Sequence, residues 1–120
     1  MNNQIVWCDI PVIDLDRAIK FYSAVLGRAV SKESHGAMNF GLLPHTDGAV
    51  GGCLVKTEEA KPSANGPLVY LNCEGRIDAA LETVGANGGE ILQPKHPIGP
   101  YGFRALVLDS EGNRIALHSK

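Results

Sequence analysis

The sequence repeats one pattern of apolar periodicity, and this repeat limits the folds that the chain can adopt. Residues 5–12 alternate as a strand, and five apolar residues from Leu15 to Leu26 then recur at helical spacing. Three short strands are predicted next, at 28–33, 37–43 and 49–56. The second half gives the same order: a strand from Leu68, a helix at 77–84, and strands at 90–94, 102–108 and 113–119. Such a repeat predicts two βαβββ modules.

Boundary residues support this interpretation. Asp14 is expected to cap the first helix and Gly27 to end it in a left-handed conformation. The segment 57–67 is polar and rich in Pro, Ser, Asn and Gly, as is typical of a linker. We therefore predict an α+β fold in which residues 1–120 form a single domain. Its parts are a first module at 4–56, the linker at 57–67 and a second module at 68–120.

Composition excludes several classes of partner. The formal net charge is −2 with mixed signs, which argues against nucleic acid or an anionic membrane as the main partner. No apolar run is long enough to span a bilayer, and the first residues lack the features of a signal peptide. The three cysteines, Cys8, Cys53 and Cys73, form no CxxC pair. An odd number of cysteines suits a reducing compartment, so a cytoplasmic location is expected.

Three segments carry a resemblance to a known family. The helix from Asp14 to Gly27, the turn Asp109-Ser110-Glu111-Gly112-Asn113 and the strand opening Gly66-Pro67-Leu68 are similar to signatures of the glyoxalase, bleomycin-resistance and dioxygenase proteins, the vicinal-oxygen-chelate superfamily. The resemblance spans nearly the whole chain. It implies two βαβββ modules whose curved, mixed sheets form an open cup, commonly in a homodimer.

The resemblance also implies where a metal ion would bind in this family. Its metal enzymes place four ligands, usually His or Glu, at positions that correspond here to Trp7, Gly52, Leu68 and Ala116. None of these four side chains can ligate a divalent cation. A shift of one residue would bring Cys53 to the second position, but a single thiolate does not make a site. We therefore expect no metal and no other cofactor, and neither glyoxalase I nor extradiol dioxygenase activity.

Strand alternation extends these positions to a whole surface, because every second residue of a strand faces the same side. The residues expected to face the cup are Trp7, Asp9, Val50, Gly52, Leu54, Leu68, Tyr70, Asn72, Arg114, Ala116 and His118. The opposite set is apolar, as a face covered by a helix should be. The cup is thus predicted to have an aromatic floor with a few polar groups, which is typical of a small-molecule pocket.

Several of these residues also have a purely structural interpretation. Trp7 either lines the cup or is a core residue that fills the space where the family's metal ion would bind. Asp9 and Arg114 form either an ion pair at the rim or a pair that binds ligand. His118 is either a solvated terminal residue or a general base, with Asp9 as the other candidate base.

Further candidates lie outside the alternating set. Residues 94–103 contain three prolines and form either an ordinary connection or a lid that brings Tyr101 and Phe103 to the ligand. Phe40, on the strand at 37–43, is a further candidate ligand contact.

Three functions remain open at this point. The first is metal-independent binding and sequestration of a small, aromatic or planar molecule, as in bleomycin-resistance proteins. The second is a metal-independent lyase, isomerase or thiol-conjugating enzyme using His118 or Asp9. The third is a structural or regulatory dimer with a vestigial pocket, which a cup filled by Trp7 would favour.

Overall fold

The computed structural model describes residues 3–120, and its first half is a four-stranded sheet covered by one helix. The elements of this first module are β1 (Trp7–Pro11), α1 (Leu15–Leu26), β2 (Ser31–His35), β3 (Met38–Leu42) and β4 (Gly51–Val55). The strand order is β1-β4-β3-β2, in which β1 runs parallel to β4 and the other neighbours are antiparallel.

The second module repeats this arrangement. Its elements are β5 (Val69–Asn72), α2 (Ile77–Val84), β6 (Glu90–Pro97), β7 (Phe103–Leu108) and β8 (Arg114–Ser119). The order β5-β8-β7-β6 again joins the first and last strands in parallel. The predicted α+β architecture of two βαβββ modules with mixed sheets is confirmed.

Helix α1 begins and ends where the sequence predicts. The carboxylate of Asp14 accepts a hydrogen bond from the backbone N–H of Arg17 at 3.1 Å, which satisfies one of the free donors of the first turn. Gly27 has φ of 68°, a left-handed conformation that terminates the helix. Arg76 of the second module donates to the carbonyl of Val25, so a cation from the other half of the chain lies at the negative end of α1.

The two modules share one hydrophobic core. Helices α1 and α2 pack against each other, and both lie against the inner faces of the sheets. The most deeply buried core side chains are Phe21, Tyr22, Val25, Leu54, Val84, Val107, Ile115 and Leu117. The opposite face of each sheet is left open to solvent. No helix within residues 3–120 is long and apolar enough to cross a membrane.

The turn between β7 and β8 ties the modules together. Asp109 accepts the hydroxyl hydrogen of the fully buried Tyr22. Glu111 accepts two hydrogen bonds from the guanidinium of Arg17, at 2.7 and 3.0 Å, and another from the backbone N–H of Asp14. The two segments that carry the family resemblance are therefore joined by buried hydrogen bonds, which gives that resemblance a structural reason.

Several strand boundaries differ from the prediction, and three of them have a clear physical reason or consequence. Strand β1 starts at Trp7, two residues later than expected, and leaves Val6 exposed. Strand β2 was predicted at 28–33 but comprises Ser31–His35; it is an edge strand with every residue exposed, so apolar periodicity gave no signal for it. Strand β6 continues to Pro97, because an edge strand tolerates proline where no neighbour needs its N–H.

Candidate functional site

The open side of the first sheet is called here the module-one face, and it carries Trp7, Asp9, Phe40 and Cys53. Trp7 lies opposite Gly51 and Asp9 opposite Cys53 in the β1–β4 register, while Phe40 on β3 lies opposite Val55. Trp7 is 44% exposed, and its indole N–H donates to a carboxylate oxygen of Asp9 at 2.9 Å. Trp7 therefore lines an open surface instead of filling the core, and the condition that would have favoured a vestigial pocket is not met.

The prediction that Gly52 lies on this face is wrong, as it is for Leu54. Gly52 lies opposite Cys8, on the side of the sheet that faces the helices, and Leu54 is completely buried in the core. Strand β4 begins three residues after the turn glycine Gly48, whereas β8 begins two residues after Gly112. Counting four residues from each turn therefore reaches opposite faces in the two modules.

Cys53 takes the place that was predicted for Gly52. Its thiol donates to the same oxygen of Asp9 that Trp7 contacts, at 3.3 Å. Burial raises the pKa of Cys53 to about 11, and the hydrogen bond to Asp9 and its negative charge act in the same direction. The thiol is thus held in its protonated, weakly nucleophilic form at neutral pH.

The open side of the second sheet is called the module-two face, and it carries Tyr70, Asn72, Arg104, Ala116 and His118. In the β5–β8 register Tyr70 lies opposite Ala116 and Asn72 opposite His118, and in the β7–β8 register Arg104 lies opposite His118. The orientations of Tyr70, Asn72, Ala116 and His118 are those that strand alternation predicts. The amide oxygen of Asn72 accepts from the backbone N–H of Glu74 at 2.8 Å, so it is used by the turn that follows β5.

Arg104 was not identified from the sequence, yet it is central to this face. Its Nε donates to Nε2 of His96 at 3.0 Å, and its Nη1 donates to the hydroxyl of Tyr70 at 2.6 Å. His96 in turn lies with Nδ1 at 2.8 Å from the carbonyl of Pro94. The apolar alternation of Ala105 and Val107 in β7 was the signal that could have placed Arg104 on the open side.

His118 and Tyr101 complete this surface. Nε2 of His118 lies 2.7 Å from the carbonyl oxygen of Tyr101, which can only accept, so this nitrogen carries the hydrogen. The imidazole meets the ring of Tyr70 edge-on, with 6.2 Å between centroids. Together with Ile98 and Arg104, these residues border an open concavity of about 590 Å³.

Phe103 does not reach this concavity, contrary to the prediction that it accompanies Tyr101. It precedes Arg104 in β7 and therefore points to the opposite side of the sheet. The ammonium group of Lys95 lies 5.4 Å from the centre of its ring, and the cavity that Phe103 borders is formed with Arg76 and Asp78. Residues 94–103, for which the sequence leaves a connection and a lid open, comprise the end of β6, a short 3₁₀ turn at Gly99–Tyr101 and the start of β7.

Arg114 and Asp9 line one cleft between the modules, about 280 Å³ in volume. They do not form the predicted ion pair: the ion pairs among residues 3–120 are Arg17–Glu111, Lys32–Asp16 and Lys95–Asp78. Asp9 instead receives its hydrogen bonds from its own face, from Trp7 and Cys53. His118, the other candidate base, borders a different cavity, so the two bases do not share one site within the chain.

The residues present do not fit a divalent metal site of the kind that the family resemblance implies. With the register corrected, the four positions are occupied by Trp7, Cys53, Leu68 and Ala116. Only the thiol of Cys53 is a metal ligand, and its pKa is raised. Within the described residues 3–120, no three His, Cys, Asp or Glu side chains lie close enough together to hold a metal ion.

A family model and a related sequence both match nearly the whole chain. The family model described as Glyoxalase/Bleomycin resistance protein/Dioxygenase superfamily matches residues 4–117. A glyoxylase-like domain-containing protein of Didymella fabae is 31% identical over 125 residues, covering 98% of this chain and 94% of the relative.

Solved structures agree with this at the level of the fold. A glyoxalase/bleomycin resistance protein from Albidiferax ferrireducens T118 has a TM-score of 0.77 at 20% identity, covering 98% of this chain and 99% of that one. The fosfomycin resistance protein FosX from Listeria monocytogenes has a TM-score of 0.68 at 15% identity, covering 100% and 95%.

Proposed function

Since the chain belongs to the Glyoxalase/Bleomycin resistance protein/Dioxygenase superfamily, we propose that it binds a small planar or aromatic organic molecule on its module-two face, without a metal ion. The observation that carries this proposal is the position of Tyr70. Tyr70 is 46% exposed and borders the open concavity together with Tyr101, Arg104 and His118.

These groups suit a planar ligand for physical reasons. An exposed aromatic ring offers apolar area and a face or edge for a second ring, which together stabilise a complex by about 1 kcal/mol beyond simple burial. The guanidinium of Arg104 and the imidazole of His118 supply the few polar contacts that orient a ligand in such a pocket. The proposal that binding needs no metal ion is supported by the residues at the four positions of the family's metal ligands. Two of them, Leu68 and Ala116, have no atom that can ligate a metal ion.

The proposal is tested by titrating a panel of aromatic and planar compounds into ¹⁵N-labelled protein and following amide chemical shifts. Shifts are expected to cluster on β5, β7 and β8, and Tyr70→Leu is expected to abolish them. Phe103→Leu is the matched control, because Phe103 is an aromatic residue of the same sheet with 40% exposure on the opposite face. Binding that survives Tyr70→Leu, or that depends equally on Phe103, would contradict the proposal.

Sequestration of a toxic compound is the biological role that this binding would serve. The family name includes bleomycin resistance, and FosX is named for resistance to fosfomycin. Expression of the chain in a sensitive bacterium is expected to raise tolerance to a compound that binds the module-two face. The increase should be lost in Tyr70→Leu. Unchanged tolerance to every compound that binds in the titration would remove this role.

A metal-independent enzyme is the second candidate, and His118 is the observation in its favour. Because Nε2 of His118 donates to the carbonyl of Tyr101, Nδ1 of the neutral ring has no hydrogen and is available as a base. Lyase, isomerase or thiol-conjugating chemistry on a bound ligand would then depend on His118. Product formation detected by mass spectrometry, lost in His118→Ala but retained in Asp9→Asn, would establish this function. Unaltered ligand in all samples would exclude it for that ligand.

We also propose that two chains associate as a homodimer. Trp7 and Phe40 on one face and Tyr70 on the other leave aromatic surface open within a single chain, and a second copy can cover part of it. Light scattering coupled to size exclusion should give twice the mass of 12.8 kDa. A monomer at all concentrations would overturn this part of the proposal.

A further inference from the structure

Arg104 differs from the cations that form ion pairs within residues 3–120 in what holds it. Arg17, Lys32 and Lys95 each contact a carboxylate within 4.0 Å. Arg104 is held by two uncharged acceptors, the ring nitrogen of His96 and the hydroxyl of Tyr70. Because neither acceptor carries negative charge, the positive charge of Arg104 is not neutralised by the groups that position it.

The guanidinium also keeps hydrogen-bonding capacity. Its Nε and Nη1 are used by His96 and Tyr70, whereas Nη2 has no hydrogen-bond partner among residues 3–120. Both N–H groups of Nη2 are therefore available at the edge of the concavity that Arg104 borders. Guanidinium groups form their strongest hydrogen bonds with carboxylate and phosphate oxygens, because donor and acceptor are then both charged.

Glu90, an acidic residue that shares this face, is too distant to neutralise Arg104. Glu90, on β6, lies opposite Leu108 at the far end of β7, four residues from Arg104 along that strand. Four residues of a strand span about 13 Å, which exceeds the Debye length at physiological ionic strength. The residues that border the concavity with Arg104 are Tyr70, Ile98, Tyr101 and His118, none of which is acidic.

We infer that the ligand of the module-two face is an organic acid, whose oxyanion binds Nη2 of Arg104 while its planar part lies against Tyr70. This inference rests on the proposed function, since it names the chemical class of the same ligand. The fixed orientation of Arg104 is what makes it a receptor: two hydrogen bonds hold the guanidinium before the ligand arrives, so less conformational entropy is lost on binding.

Benzoate and benzamide are suitable probes, because they share a ring and differ in the charge of one group. Benzoate is expected to bind about tenfold or more tightly than benzamide, as measured by amide chemical shifts at constant ionic strength. Phenylphosphonate, in place of benzoate, shows whether the site prefers a planar or a tetrahedral oxyanion. Inorganic phosphate, which has no ring, is expected to bind at least tenfold more weakly than either acid.

Substitution of Arg104 then identifies the receptor. Arg104→Gln is expected to reduce benzoate affinity by about tenfold or more and to leave benzamide affinity unchanged. Arg104→Lys keeps the charge but loses the fixed geometry, so an intermediate affinity is expected. Lys20→Gln is the control, since it removes the same charge from an exposed residue of α1 outside this concavity. Circular dichroism and the thermal midpoint show that each variant is folded.

The outcomes separate the two proposals. Equal affinity for benzoate and benzamide, both lost in Tyr70→Leu, would overturn the acidic ligand but leave the aromatic binding face in place. An equal loss of benzoate binding in Arg104→Gln and Lys20→Gln would show a nonspecific charge effect and would also overturn the inference. No binding of any aromatic probe at millimolar concentration would overturn the proposed function and this inference together.

Discussion

Tyr22 of helix α1 donates its phenolic hydrogen to the carboxylate of Asp109, which lies 87 residues later in the turn between β7 and β8. Tyr22 is fully buried and Asp109 nearly so. The same carboxylate accepts from the backbone N–H groups of Glu111 and Asn113. Burial and the negative charge of Asp109 raise the pKa of Tyr22 well above its usual value, so the hydroxyl stays a donor.

Removal of this hydroxyl is expected to destabilise the whole chain. Tyr22→Phe leaves the buried Asp109 with one donor fewer and should lower the free energy of unfolding by about 1–3 kcal/mol. Tyr70→Phe removes an exposed hydroxyl of the same kind and should change it by less than about 0.5 kcal/mol. Urea denaturation measures both. Equal effects would show that the Tyr22–Asp109 contact is not important for stability.

Glu111 should make the stability of the protein depend on acid pH. Burial acts to raise the pKa of Glu111, but hydrogen bonds from Arg17, Asp14, Ser110 and Ile13 outweigh it and lower the pKa to about 2. A lowered folded-state pKa stabilises the fold above the unfolded value of 4.5, and this contribution is lost as pH falls from 4.5 towards 2.

Glu111→Gln tests that dependence. The variant is expected to be less stable than the wild type by roughly 2–3 kcal/mol at pH 7, and the difference should shrink steadily below pH 4.5. Urea denaturation at a series of pH values from 7 to 2.5 gives both curves. Parallel curves over this range would mean that Glu111 does not titrate with a lowered pKa.

A side chain at Gly27 is expected to destabilise the fold, for two reasons that can be separated. Its φ of 68° is unfavourable for alanine, and an added Cβ would lie 2.7 Å from the guanidinium carbon of Arg76. Gly36 has a similar φ of 64° with nothing within 4 Å of its added Cβ. Gly36→Ala should therefore cost about 1 kcal/mol, and Gly27→Ala about 2–3 kcal/mol. Equal losses in denaturation experiments would show that Arg76 moves aside freely.

Cys53 should react slowly with alkylating reagents in the folded protein. With its pKa raised to about 11, only about 0.1% of the thiol is ionised at pH 8. Asp9→Asn removes the negative charge beside it and is expected to increase the rate of iodoacetamide labelling at Cys53. Cys73, which is buried away from Asp9, should keep its rate. Peptide mass spectrometry measures each site, and an unchanged rate at Cys53 would contradict the contact.

The sequence predicted the module-two face better than the module-one face, and the reason is strand register. In module two, β8 begins two residues after Gly112, so alternation placed Tyr70 and His118 on the open side. In module one, β4 begins three residues after Gly48. Counting four residues from the turn glycine therefore predicts that Gly52 faces the open side, whereas Cys53 does. Apolar residues occupy both sides of β4, so the sequence contains no alternation that would have revealed the shift.

Arg104 could not be ranked from the sequence because its importance depends on tertiary contacts. Its partner His96 lies on β6, in a part of the β6–β7 register that is irregular between Gln93 and His96. An irregular ladder breaks the simple alternation that fixes which side chains share a face. The sequence favours Phe103 as a ligand contact because Phe103 is aromatic. In the structure, however, its neighbour Arg104 faces the concavity.

The tautomers of two histidines provide a final prediction. His96 accepts from Arg104 at Nε2, so its hydrogen must lie on Nδ1, directed at the carbonyl of Pro94. His118 donates from Nε2 to the carbonyl of Tyr101, so in the neutral ring its Nδ1 carries no hydrogen. Long-range ¹H–¹⁵N correlation spectra at pH 8 are expected to show the Nδ1–H tautomer for His96 and the Nε2–H tautomer for His118.

Arg104→Gln supplies the control for this experiment. Loss of the guanidinium removes the donor to Nε2 of His96, so His96 should shift towards the Nε2–H tautomer, which is usual in solvent, while His118 stays as it is. Detection of Nε2–H on His96 in the wild-type protein would mean that this ring does not position Arg104. The fixed guanidinium on which the acidic-ligand inference depends would then lose one of its two supports.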